Sequence, residues 1–116
     1  MPNLPPVTRS LLIANVLVFA LQQLLPDAGA LALVSHFALW PLGPSPYSNV
    51  AGFEPWQLVT YAFMHGGFEH ILFNMFGLWM FGGVIERTFG ARNYAVYYFV
   101  CAIVAAVAQL LVVKYF

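Results

Sequence analysis

The sequence predicts an all-α, polytopic membrane protein: a half-bundle of three transmembrane helices with a structured, amphipathic external loop between helices 1 and 2. Three observations lead there. Of 116 residues, 62% are apolar and only 7% charged, whereas an ordinary soluble domain carries about 25% charged residues. The charges are Arg9, Asp27, Glu54, Glu69, Glu86, Arg87, Arg92 and Lys114, and three long apolar stretches fall between them. Those stretches approach or reach the ~20 residues needed to cross the hydrocarbon core.

Helix 1 is expected at about 9–25. Leu11–Leu25 is interrupted only by Asn15 and the pair Gln22-Gln23, and it reaches membrane length only by recruiting Val7–Ser10. Arg9, this apolar run and Ala28-Gly29-Ala30 also resemble a secretory signal with its cleavage site. The polar interruptions and the length of the run favour a permanent helix. The external loop, 26–67, is too apolar for a flexible linker. Leu31–Trp40 reads as a short interfacial helix with Trp40 at headgroup level. Pro41, Pro44 and Pro46, with Gly43, Ser45, Ser48 and Asn49, force an irregular turn. Glu54–Met64 reads as a second short apolar helix. Helix 2 is expected at about 68–86, opened after Gly66-Gly67 with Glu69 suiting the helix dipole. Arg87 and Gly90 act as stop signals, and Gly77, Gly82 and Gly83 allow close helix approach. Helix 3 is expected at about 94–113, with Asn93 as N-cap, Tyr94, Tyr97 and Tyr98 at its interface, and Ala102 and Ala106 as a packing edge.

Arg9, Arg87 and Arg92 against Lys114 place the N-terminus and the 86–93 turn in the cytoplasm by the positive-inside rule. The 26–67 loop and His65 are then external, and a plasma (inner) membrane suits this arrangement. A formal charge of zero argues against a nucleic-acid partner; the lipid bilayer is the partner that composition implies. Cys101, the single cysteine, excludes an intramolecular disulfide and a thiolate zinc site.

The stretch richest in chemistry is His65-Gly-Gly-Phe-Glu-His70-Ile-Leu-Phe-Asn74. His70 and Asn74 are four apart, so on a helix they share a face one turn apart. Polar groups stacked in a membrane-length helix are costly unless satisfied or used. A zinc peptidase would need H-E-x-x-H or H-x-x-E-H. The spacing here is H-x-x-x-E-H, and His36 is an unconstrained third ligand, so neither a metal nor a cofactor is expected. Two readings stay open. His70 and Asn74 can hydrogen-bond a neighbouring helix. Alternatively, their N–H groups can donate to a developing oxyanion in a water-filled pocket.

The runs Glu54-Pro-Trp-Gln, Phe63-Met-His-Gly-Gly-Phe-Glu-His-Ile-Leu-Phe-Asn-Met and Gly82-Gly83-Val-Ile-Glu86-Arg87 resemble the rhomboid family of intramembrane serine proteases. The resemblance covers essentially the whole chain and the first three of the family's six core helices. It implies that His70 and Asn74 stabilise the oxyanion and that His65 pins the external loop. Glu54 and Trp56 would structure that loop, where Gln57 replaces the arginine that normally braces it. Glu86 would anchor the cytoplasmic end of helix 2 through a polar network. The implied partners are transmembrane protein substrates and the C-terminal helices of the same domain. The family's Gly-x-Ser-Gly nucleophile and its base histidine are absent from these residues. The expectation is therefore an N-terminal half, inactive alone, that carries the oxyanion site of a serine endopeptidase. The rivals are a non-catalytic rhomboid-like protein that binds transmembrane segments and a small structural three-helix protein. Coding sequence beyond codon 116 would separate them.

Overall fold

The computed structural model describes residues 4–43 and 52–115, which form helices and their connections, with no strand among them. Helix α1 is Pro6–Leu24, α2 Asp27–Phe37 and α3 Gln57–Thr60, which runs into a 3₁₀ turn at Tyr61–Phe63. Helix α4 is Phe68–Phe89 and α5 is Ala91–Tyr115. Three of them, α1, α4 and α5, are long and apolar enough to cross a membrane, with mean hydropathies of 1.4, 1.3 and 2.4.

The helix ends differ from the sequence expectation for identifiable reasons. Helix α1 begins at Pro6, ahead of Arg9, because proline has its φ preset for a first helical position and has no N–H to lose. The N–H groups of the next two residues, Val7 and Thr8, need acceptors. Both find them in the Glu86 carboxylate, at 3.0 and 2.7 Å. The Thr8 hydroxyl adds a third bond at 2.9 Å. Helix α4 runs on to Phe89 and stops at Gly90, whose φ of 86° ends it. Its middle, Leu78–Gly82, is wound as a π-helix, an i→i+5 turn that takes in one residue more than an α turn. Helix α5 opens at Ala91 with the Tyr94 N–H donating to the Gly90 carbonyl at 2.9 Å. Asn93 is therefore inside the helix and not its N-cap, and its amide donates to the Phe89 carbonyl at 3.1 Å.

Helices α4 and α5 approach each other at Gly82. A Cβ there would stand 2.8 Å from the Tyr94 hydroxyl and 3.2 Å from Thr8 Cγ2, so the small residue is what lets three helices meet. Tyr94 is only 3% exposed; it packs inside the protein and does not mark the membrane interface. Ala106 is fully buried further along α5.

The segment between α1 and α4 packs against the bundle by hydrogen bonds. Helix α2 starts at Asp27 and takes Ala28–Ala30 into its first turn, four residues earlier than the Leu31 start expected. It ends at Phe37, short of Trp40, whose indole N–H donates back to the Val34 carbonyl at 3.0 Å. The expected turn at Pro44, Ser45, Pro46, Ser48 and Asn49 lies outside the described residues. Instead of one helix over Glu54–Met64, there is a turn, a single α turn and a 3₁₀ turn.

Candidate functional site

Gln57 stands where an arginine was expected, and it is fully buried. Its amide donates to the His36 and Gly52 carbonyls at 3.3 and 3.0 Å, and its oxygen accepts the Trp40 N–H at 3.2 Å. A guanidinium has no acceptor for that last bond, so this loop is braced differently. Trp56 is half-exposed, and its indole N–H donates to the His36 carbonyl at 2.7 Å. At Glu54 the main-chain carbonyl accepts the Gln57 N–H at 3.0 Å. The Tyr61 hydroxyl joins the loop to α5 by donating to the Ala102 carbonyl at 2.7 Å. Burial and the nearby Tyr98 raise the Tyr61 pKa, which keeps the phenol protonated as that donor.

The loop ends at His65, which is 4% exposed. Its main chain is held from both sides by one α1 side chain. Gln22 Nε2 donates to the His65 carbonyl at 3.0 Å, and the His65 N–H donates to Gln22 Oε1 at 3.1 Å. His65 is thus tied to α1 through its backbone. Gly66 and Gly67 follow, and Phe68 opens α4. His70 and Asn74 are both exposed on the first turns of α4. The His70 ring stands edge-on to His65, with centroids 6.3 Å apart.

Asn74 lines a cavity of about 370 Å³ together with His65, Asn15, Tyr98 and Met75. His70 is beside this cavity through its contact with His65, without lining it. A second cavity of about 530 Å³ lies against the other side of His65 and carries Gln22, Tyr61 and Gln109 in its wall. At the far end of α4, Glu86 is 3% exposed and holds the start of α1. Among the described residues no cluster of three His, Cys, Asp or Glu is placed to hold a metal.

Sequence reasoning singled out His65, His70, Asn74 and Glu86 but treated Thr8, Asn15 and Gln22 as background or interruptions. Their spacing of seven was the available signal. On a helix it sets all three on one stripe, and this stripe is the one that meets Glu86, the Asn74 cavity and His65.

Burial lowers the His65 pKa, and the neighbouring His70 lowers it further, while the Phe63 backbone works in the opposite direction. The unfolded chain then takes up this proton before the folded one does. The stability tied to a neutral His65 is fully present above the ordinary histidine value of about 6.5 and is lost as pH falls through the lower folded value. Thermal melts in detergent across pH 7.5 to 5 are expected to fall on acidification, with a shallower fall for His65→Gln. Identical slopes would contradict the assignment.

A family profile described as the Rhomboid domain matches residues 52–116. The chain is 33% identical over 107 residues to Rhomboid protease GlpG from two strains of Klebsiella pneumoniae, covering 92% of this chain and 36% of the relative. It is 34% identical over 104 residues to Rhomboid protease GlpG of Salmonella choleraesuis, covering 90% and 34%. The chain thus spans about a third of the length of the curated relatives it matches.

Proposed function

This chain belongs to the rhomboid family, and from that premise we propose that it supplies the oxyanion side of a serine-type endopeptidase that cleaves transmembrane substrates within the bilayer. It is an integral membrane protein with three helices suited to crossing. The observation that carries the reading is the opening of α4. His70 and Asn74 stand one turn apart there, directly after the glycine pair, with Asn74 on a cavity it shares with His65. An imidazole N–H and a carboxamide N–H₂ placed so can donate to the oxygen that becomes negative when a peptide carbonyl is attacked.

Attack itself needs a nucleophile and a base, and the serines here, Ser10, Ser35, Ser45 and Ser48, do not occur in Gly-x-Ser-Gly. Those groups come from outside these 116 residues, and no metal takes part. Ser–His chemistry through an acyl-enzyme is the reaction type, in which the base takes the serine proton and returns it to the leaving amine.

The test is complementation in proteoliposomes. The 116-residue chain alone is expected to leave a transmembrane substrate intact and to take no fluorophosphonate label. Co-expression with the C-terminal helices of the Klebsiella relative is expected to give cleavage. Cleavage by the chain alone, or none from two halves that co-purify, would overturn the reading.

From three cations against one we also propose a cytoplasmic N-terminus and an inner-membrane location. An impermeant thiol reagent added outside is expected to label Ala28→Cys and spare Ser10→Cys in a Cys101→Ala background; the reverse pattern contradicts this orientation.

A further inference from the structure

Two cavities flank the contact between α1 and α4. One is the Asn74 cavity, and the other is a groove of about 630 Å³; Met75 alone lines both. Helix α1 gives the groove Ile13, Val16 and Leu17, and α4 gives it Leu72, Phe76 and Trp79, all about half-exposed. No charged or amide side chain lines it. Its size falls in the ~300–1,000 Å³ range of small-molecule sites, and walls of this kind keep water out. Two helices bound it, so a hydrocarbon chain laid there gains dispersion contacts on two sides instead of one.

One end of the groove carries charge. The two helices run antiparallel, since Glu86 near the end of α4 holds the start of α1, and Gln22 late in α1 meets His65 just before α4. Arg9 is four residues before Ile13 and seven before Val16, which sets it on the groove's own stripe of α1, and it is exposed. Helical side chains lean toward the helix N-terminus, so its guanidinium is carried away from the apolar walls toward headgroup level. Arg87 is at the same end: a Cβ on Gly83 would stand 3.4 Å from Pro5 Cδ and 3.6 Å from Arg87 Nη1. An apolar trough with a guanidinium at its mouth complements an acyl chain joined to a phosphate, which arginine can hold by two parallel hydrogen bonds. We propose that this groove holds one acyl chain of an anionic phospholipid, with the headgroup phosphate on Arg9. The C-terminal helices are not its occupant, because a nucleophile must reach His70 and Asn74, roughly half a turn around α4 from the groove. That last clause rests on the proposed function; the lipid site itself goes beyond it.

The test reconstitutes the 116-residue chain in phosphatidylcholine nanodiscs with a trace of phosphatidylglycerol bearing a photoreactive diazirine on one acyl chain. A parallel sample carries the same diazirine on phosphatidylcholine, and cross-links are mapped by mass spectrometry. With phosphatidylglycerol, cross-links at Ile13, Val16 and Phe76 are expected to exceed those at Val100 and Val104, exposed residues of α5. Arg9→Gln is expected to lower the groove yield about 5-fold with phosphatidylglycerol and to leave the phosphatidylcholine yield unchanged, while Arg9→Lys retains most of it. Val16→Trp fills the groove and is expected to lower its yield with both lipids; if that variant fails to fold, the Arg9 variants decide. Equal yields in the groove and on α5 mean ordinary boundary lipid and overturn the proposal. A groove yield indifferent to Arg9→Gln does so too, as does a groove shielded from lipid by a second copy of the chain. No arm requires proteolysis, so failure here leaves the proposed function standing, and loss of that function leaves the cross-linking result intact.

Discussion

Alanine at His70 or at Asn74 is expected to lower kcat of the complemented enzyme about 10- to 10³-fold, with KM for the transmembrane substrate little changed. The warrant is differential. A donor aimed at the developing oxyanion strengthens as charge accumulates, so its loss appears in the transition state more than in the bound ground state. Both residues are exposed at the start of α4, and among the described residues neither makes a side-chain hydrogen bond that joins helices, so the variants should fold and assemble normally. The double variant is expected to lose less than the product of the single losses, because the two donors serve one oxygen. Steady-state kinetics with thermal melts as control check this. Full activity in the double variant would remove His70 and Asn74 from the chemistry.

Alanine at Glu86 is expected to have the largest effect on stability, about 2–4 kcal/mol, as hydrogen bonds to a charged group are each worth roughly 1.5–3 kcal/mol and do not add fully. The carboxylate accepts from Val7 N–H, Thr8 N–H and the Thr8 hydroxyl. Because Pro6 has no N–H, these are the donors at the start of α1 that the helix itself cannot satisfy. Glu86 is thus a capping residue supplied by another helix. Its removal strands a buried main-chain donor at Thr8 and a partly buried one at Val7, whereas Thr8→Val removes only the hydroxyl and is expected to cost about 1 kcal/mol. Glu86→Gln retains acceptor oxygen without charge and should fall between them. Denaturant titrations in mixed micelles order the three variants, and equal stability of Glu86→Ala and the wild type would contradict the capping role.

Hydropathy and charge placement carry far in this chain because membrane crossing is a coarse demand of length and polarity. The three membrane helices, and the pairing of His70 with Asn74 on one face, were legible for that reason. Helix ends were less so. The start at Pro6 depends on a carboxylate some eighty residues away in sequence, and the start at Ala91 depends on the backbone of Gly90, neither of which a local pattern displays. Gln57 left open whether the loop is braced more weakly or differently, because residue type alone does not display which donors and acceptors an amide will meet. Asn15 and Gln22 looked like flaws in a hydrophobic run. Their partners, a cavity wall and a peptide unit of His65, exist only after the helices have come together.

The π-wound stretch of α4 bears on how this helix is measured. Asn74 and Glu86 are twelve residues apart, which in a straight α-helix leaves them about a third of a turn out of line. Both nevertheless meet the same stripe of α1, at Asn15 through the shared cavity and at Thr8 through hydrogen bonds. Eleven α-helical residues would come within about 20° of alignment, and the wide turn at Leu78–Gly82 absorbs the twelfth. Counting residues therefore misjudges the azimuth of either end. A homologous helix one residue shorter across this stretch could present the same two groups in the same directions, with its slack simply taken up.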